Sequence, residues 1–181
     1  MANQKHYELI SELNSLLGND EDKLICKQIT EFLLGLGYIP KKQKGKGFAL
    51  DFKNNKLNEK IAKLGIGNNN CLNASMKFYA SDNYSQKFKE GLQGYCDWLF
   101  TDAGKKYVNE IDGKYISCGC GKCNGFDGAY KYEYPDGKFV IRCGKELVRV
   151  RNLTVGDIGE IIRILEAQHN FFIKNASASS R

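Results

Sequence analysis

The sequence predicts an α+β fold: an N-terminal helical hairpin, an antiparallel sheet packed by helices, a cysteine-rich and possibly zinc-binding β-hairpin, and a C-terminal amphipathic helix. Three observations carry that expectation. Apolar residues recur at helical spacing near both ends of the chain, they alternate with period two between Phe48 and Ala80, and they alternate again on either side of Pro135-Asp136-Gly137. A composition of 42% hydrophobic and 12% aromatic residues is enough to build a core and excludes a disordered chain.

Leu9, Ile10, Leu13, Leu16 and Leu17 share one helical face and stop at Gly18, which gives the first helix. The segment Asn19 to Asp22 supplies a cap. Leu24, Ile25, Ile29, Phe32, Leu33 and Leu36 then form a second stripe ending at Gly37, with Pro40 just beyond. The lysines at 41, 42, 44 and 46 read as a solvated, flexible connection. From Phe48 the period changes to two, and a turn near residues 53–56 leads into a second strand. Leu72, Ala74, Met76, Phe78 and Ala80 fall on one strand face, leaving Asn73, Ser75, Lys77 and Tyr79 on a wet or ligand-facing side.

Ser85 is placed to cap a helix that carries Phe88, Leu92, Tyr95, Cys96 and Leu99. Pro135-Asp136-Gly137 joins two alternating runs as a hairpin, and residues 147–150 add a strand. Thr154 and Asp157 mark a final helix whose apolar face holds Ile158, Ile161, Ile162, Leu165, His169 and Phe172. Residues 175–181 read as a frayed tail. The expected organisation is one α+β domain over 1–174: a helical hairpin at 1–39, sheet and packing helix at 47–102, the cysteine-bearing hairpin at 115–151 and the last helix at 154–174.

The chain carries seven cysteines, and three of them, Cys118, Cys120 and Cys123, fall within six positions. The N-terminus lacks the apolar core of a signal peptide and no eighteen apolar residues run together, so a cytoplasmic protein without a membrane span is expected. Thiols there stay reduced, which favours metal or redox chemistry over structural disulfides. The two-residue gap from Cys120 to Cys123 lets both thiolates face one ion, and the neighbouring glycines permit the tight turn this requires. If Asp136-Gly137 is a two-residue turn, Cys143 lands opposite Tyr130, near the base of the hairpin that the chain enters after Cys123. Cys118, Cys120, Cys123 and Cys143 are therefore the expected ligands of one structural zinc, with an iron–sulfur cluster, free thiols or a switchable disulfide as alternatives. Cys26, Cys71 and Cys96 read as small apolar residues.

No catalytic constellation is evident. His6 reads as solvated and His169 as a hydrogen-bonded core or boundary residue, while nucleophile-elbow and phosphate-loop patterns are missing. The excess of six positive charges permits an anionic partner without requiring one. Lys122, Arg142, Lys145, Arg149 and Arg151, beside the alternating Tyr130, Tyr132 and Tyr134, make nucleic-acid binding an alternative function. The tyrosines equally suit cross-strand packing against Phe139 and Ile141. A thiol- or redox-active protein is a further alternative.

The meander of residues 48–92, followed by the cysteine cluster, the Pro135-Asp136-Gly137 hairpin, Cys143-Gly-Lys-Glu-Leu147 and an acidic-capped helix, resembles uncharacterised small bacterial α+β proteins with a cysteine-bearing C-terminal hairpin. The resemblance covers residues 40–172. It implies a fold and no catalytic residues. The expected function is that of a metal-stabilised binding or regulatory domain with a protein, small-molecule or nucleic-acid partner.

Overall fold

The structure is a computed structural model that describes residues 3–45, 47–81, 83–91, 108–111, 114–117, 129–133, 139–143 and 146–178, the four segments between 108 and 143 by their backbone alone.

Two helices open the chain. Helix α1 (Gln4–Ser15) starts at Asn3, whose side chain accepts from the His6 amide, while Nδ1 of His6 accepts from the Asn3 amide at 3.0 Å. His6, expected to be solvated, thus helps to cap its own helix. Helix α2 (Asp20–Gly35) starts at Asn19, and Asp20, Glu21 and Asp22 set negative charge against the positive end of the helix dipole. Its other end is closed by two backbone bonds, Gly37 N–H to Leu34 O at 3.0 Å and Tyr38 N–H to Leu33 O at 2.9 Å. This Schellman arrangement requires the positive φ of 79° that Gly37 supplies, and it delivers Tyr38 into the core.

The first sheet holds five antiparallel strands in the order β1 (Ile39–Lys42), β2 (Ala49–Asn54), β3 (Glu59–Ile66), β4 (Leu72–Met76) and β9 (Val148–Val150). Asn54 shapes the β2–β3 turn, its Oδ1 accepting from the amides of Lys56 and Leu57 while its Nδ2 donates to Leu36 O. One face of the sheet carries Leu50, Phe52, Ala62, Leu64, Ala74, Met76, Val148 and Val150, all buried. Against it lie α1, α2 and α4 (Ile158–Ala178), contributing Leu13, Ile25, Ile29, Leu33, Ile161, Ile164, Leu165 and Phe172. Burying each large apolar side chain in this layer contributes roughly 1.5–3 kcal/mol, which makes the helix-on-sheet interface the main source of stability.

Polar groups tie the ends of the elements together. Asp22 accepts from the Leu72 amide at 2.9 Å, Glu21 accepts from the Val155 amide at 3.0 Å, and Gln168 accepts from the Ala80 amide at 3.1 Å. A helix, α3, described over residues 86–91, begins just after Ser85, whose carbonyl accepts from the Phe88 and Lys89 amides, and Phe88 is fully buried. Thr154 and Asp157 cap a 3-10 turn (Val155–Asp157) that runs directly into α4.

A second sheet has the order β5 (Val108–Ile111), β6 (Lys114–Ser117), β8 (Phe139–Cys143) and β7 (Ala129–Glu133). Its β6–β8 contact is parallel and its other two are antiparallel.

The α+β class and an antiparallel sheet packed by helices match expectation, but several details differ. Lys41 and Lys42 belong to edge strand β1 rather than to a flexible linker, because β2 offers its outer backbone edge to residues 39–42. Lys77 is buried, not wet: β4 ends at Met76, so the period of two no longer sets its direction. Cys71 is exposed, since it follows the 3-10 turn Asn68–Asn70 instead of lying inside a strand. Helix α4 continues to Ala178, through half of the segment read as a frayed tail.

The hairpin register is also shifted by one residue. Cys143 faces Ala129 and Arg142 faces Tyr130, because Glu133 pairs with Phe139, one residue off the register that a two-residue Asp136-Gly137 turn would set. Tyr130 and Tyr132 therefore stand opposite Arg142 and Val140 instead of packing across from Phe139 and Ile141. Leu92, Tyr95, Cys96, Leu99 and Tyr134 lie outside the described residues. No helix among the described residues is long and apolar enough to cross a membrane.

Candidate metal centre and basic surface

Cys118, Cys120, Cys123, Lys122 and Lys145 lie outside the described residues, and Cys143 closes strand β8. The backbone around Cys143 is informative. Ser117, the last residue of β6, pairs with Arg142, and Ala129, the first residue of β7, pairs with Cys143 itself. The segment 118–128 that carries the other three cysteines is thus anchored at both ends to strands flanking the end of β8. Among the described residues no group of three or more His, Cys, Asp or Glu is placed to hold a metal.

The remaining described thiols differ from each other. Cys26 is fully enclosed in α2, and burial, helped by the charge of Asp22, pushes its thiol up to about 12. Such a thiol stays protonated and inert at neutral pH. Cys71 is open to solvent.

The five cationic residues proposed for anion contact divide between the two sheets. Arg142 is in β8 of the second sheet, whereas Arg149 is in β9 of the first and Arg151 follows it, both exposed. Arg149 continues a row that crosses every strand of the first sheet: Lys41, Asp51, Lys63, Ser75 and Arg149 are successive register partners. This row lies on the face opposite the helices, and Lys53 and Lys60 are paired beside it. Asp51, its one carboxylate, is engaged by Lys60 at 3.4 Å and by Gln43 at 2.8 Å. Lys41, Lys53, Lys63 and Arg149 make no ion pair among the described residues, so the face carries a positive excess. Sequence reading missed this row because Lys41 was assigned to a linker. The alternation of Asp51 and Lys53 with Leu50 and Phe52 was part of the signal, whereas Lys60 and Lys63, three positions apart, reach the same face only through the register shift opposite Phe52 and Lys53.

A third cluster lies where α4 crosses the edge of the core. The Tyr38 hydroxyl is 3.3 Å from Nδ1 of His169, and their rings meet edge to face with centroids 5.6 Å apart. Burial, with the nearby Glu59 charge, pushes the Tyr38 phenol above its ordinary value. Burial also pushes His169 below its ordinary value, against the opposing effect of Glu166. Both shifts favour the neutral forms, so the pair acts as a hydrogen-bonded packing contact, in keeping with the boundary role expected for His169.

No protein-family model, curated protein or solved structure matches the chain.

Proposed function

We propose that this chain is a binding or regulatory domain whose second sheet is stabilised by one structural zinc held by Cys118, Cys120, Cys123 and Cys143. The observation that supports it is the strand order around Cys143. Cys118 follows directly on Ser117, the partner of Arg142, and the eleven-residue connection that bears Cys120 and Cys123 ends at Ala129, the partner of Cys143, so both ends of the cysteine-bearing segment are held beside the end of β8. Four thiolates at about 2.3 Å make a closed tetrahedral site that needs no water ligand. The sheet is built of four strands of four or five residues, and metal binding contributes directly to folding in small units of this kind.

Elemental mass spectrometry on protein purified without chelator or affinity metal, combined with a count of reactive thiols, tests the reading. One zinc per chain is expected, with Cys118, Cys120, Cys123 and Cys143 protected until a chelator is added; both are lost on Cys123→Ser or Cys143→Ser, and the melting temperature is lowered. Metal-free protein in which those four thiols react under native conditions, with only the enclosed Cys26 protected, overturns it and leaves redox chemistry at the cluster as the successor. Unchanged melting of the serine variants in metal-replete buffer also overturns it.

A further inference from the structure

We infer that the face of the first sheet opposite α1, α2 and α4 is a docking surface for the phosphate backbone of a nucleic acid. The inference rests on reading the chain as a binding domain and names its partner class, but it does not depend on the zinc, because every residue it uses belongs to the first sheet.

Lys41, Lys63 and Arg149 occupy one register row on β1, β3 and β9, and Lys53 and Lys60 occupy the neighbouring row. Strand backbones place them, so their spacing is set by hydrogen-bonded geometry and not by a mobile loop. Adjacent strands are separated by about 4.8 Å, so the row spans on the order of 19 Å from Lys41 to Arg149, with Lys63 midway. A duplex presents a phosphate on each strand every 3.4 Å or so of helix axis, and such a row therefore runs alongside about half a dozen base pairs. A mononucleotide or free phosphate would touch one cation at a time, whereas an extended polyanion meets them together.

Chemistry distinguishes among polyanions. Ser75 and Asn73 add hydroxyl and amide groups between the cations. At the centre Gly65 is buried beneath its neighbours, since a Cβ there would lie 2.8 Å from the Ala49 Cβ and from Phe48 O. None of the described residues on this face is an aromatic platform for base stacking, so recognition is of the backbone and independent of sequence. A lipid surface would add apolar side chains for insertion. The exposed large apolar residues Tyr7, Leu16, Leu24, Val155 and Ile173 instead lie on helices and on the turn before α4.

The test is fluorescence anisotropy of the full chain with a labelled 20-nucleotide single strand and the matching duplex, from 50 to 300 mM KCl. Wild-type protein is expected to bind, with log affinity falling linearly against log salt. The pair Lys63→Glu and Arg149→Glu is expected to weaken binding at least tenfold and to flatten the salt slope by about 1 for each cation removed. The control pair Lys5→Glu and Lys174→Glu makes the same change in net charge on the helical side and is expected to stay within about twofold of wild type. Circular dichroism melts confirm that both pairs are folded.

Absence of binding at 50 mM salt overturns the inference, as does an equal loss in the control pair. Binding to vesicles of phosphatidylserine and phosphatidylcholine without binding to either oligonucleotide overturns it in favour of a membrane. Zinc content measured on the same preparations reports separately on the cysteine site: metal-free protein that still binds nucleic acid through Lys63 and Arg149 refutes the zinc and leaves this surface standing.

Discussion

Nζ of Lys77 lies 2.9 Å from Oε2 of Glu59 and 5.3 Å from the centre of the Phe172 ring, with 3% of the lysine side chain exposed and 38% of the glutamate. The aliphatic stem is therefore inside the protein while the carboxylate remains at the boundary, and the pair ties the start of β3 to the chain leaving β4. A buried ammonium costs free energy unless it is compensated. Glu59→Gln keeps the size and removes the negative charge, and it is expected to destabilise the protein by about 1–2 kcal/mol, a value reduced by the partial exposure of the carboxylate. Urea denaturation of wild type and variant measures it; an unchanged midpoint would show that Glu59 does not support Lys77.

Stability should also depend on His169. Its folded-state pKa is lowered by burial, so the unfolded chain binds the proton more readily. The contribution is fully present above the ordinary histidine value, about 6.5, and declines as pH falls through the lowered folded value. Melting temperatures between pH 7.5 and pH 5 are expected to fall, and His169→Gln should flatten that part of the profile. An identical slope in the variant would assign the pH dependence elsewhere.

Asp157 acts in the same direction at lower pH, but because its charged form is favoured and not its neutral one. Burial pushes its carboxyl up, but hydrogen bonds from Lys87 and from the Thr154 amide and hydroxyl, together with the Lys87 charge, outweigh it and hold the group below its ordinary value. That contribution is present above about pH 3.8 and is lost as pH falls further. Asp157→Ala should cost more than Thr154→Ala, which loses a helix cap of about 1 kcal/mol. A double-mutant cycle with Lys87→Met is expected to show favourable coupling, and additive single effects would deny it.

Gly65→Ala should be destabilising, by roughly 1–3 kcal/mol, because two atoms stand where its Cβ must go. One is the Ala49 side chain and the other is backbone. Ala49→Gly in the same chain should recover only part of the loss, and thermal melts of the three proteins decide it. Full recovery would show that the carbonyl of Phe48 yields easily.

Sequence reading located the first sheet and all three long helices well, because each has a period that a single burial surface imposes. Leu50 and Phe52 or Ile161 and Leu165 announce their face without reference to any distant residue. Lys77 was misread since alternation says nothing about where a strand stops, and Tyr38–His169 joins residues 131 positions apart that no local pattern connects. Strand β1 was hidden by its lysines, which suit an exposed edge as well as a loop. The hairpin register depended on a loop length that Pro135-Asp136-Gly137 leaves open, and one residue of slip moved Cys143 from Tyr130 to Ala129. The first sheet's basic row is legible only after five strands are aligned.

Strand β9 pairs with β4 although about 70 residues separate them, and closing a loop of that size costs on the order of 4 kcal/mol of chain entropy. During synthesis, β1 to β4 and the first two helices leave the ribosome long before the residues that complete their sheet. Until Val148 and Val150 arrive with α4, the backbone edge of β4 and the apolar faces of Ile61, Leu64 and Met76 are incompletely covered. The nascent chain is then most vulnerable to aggregation and most dependent on chaperones, and a truncation before β9 should accumulate as insoluble protein and not as a smaller folded domain.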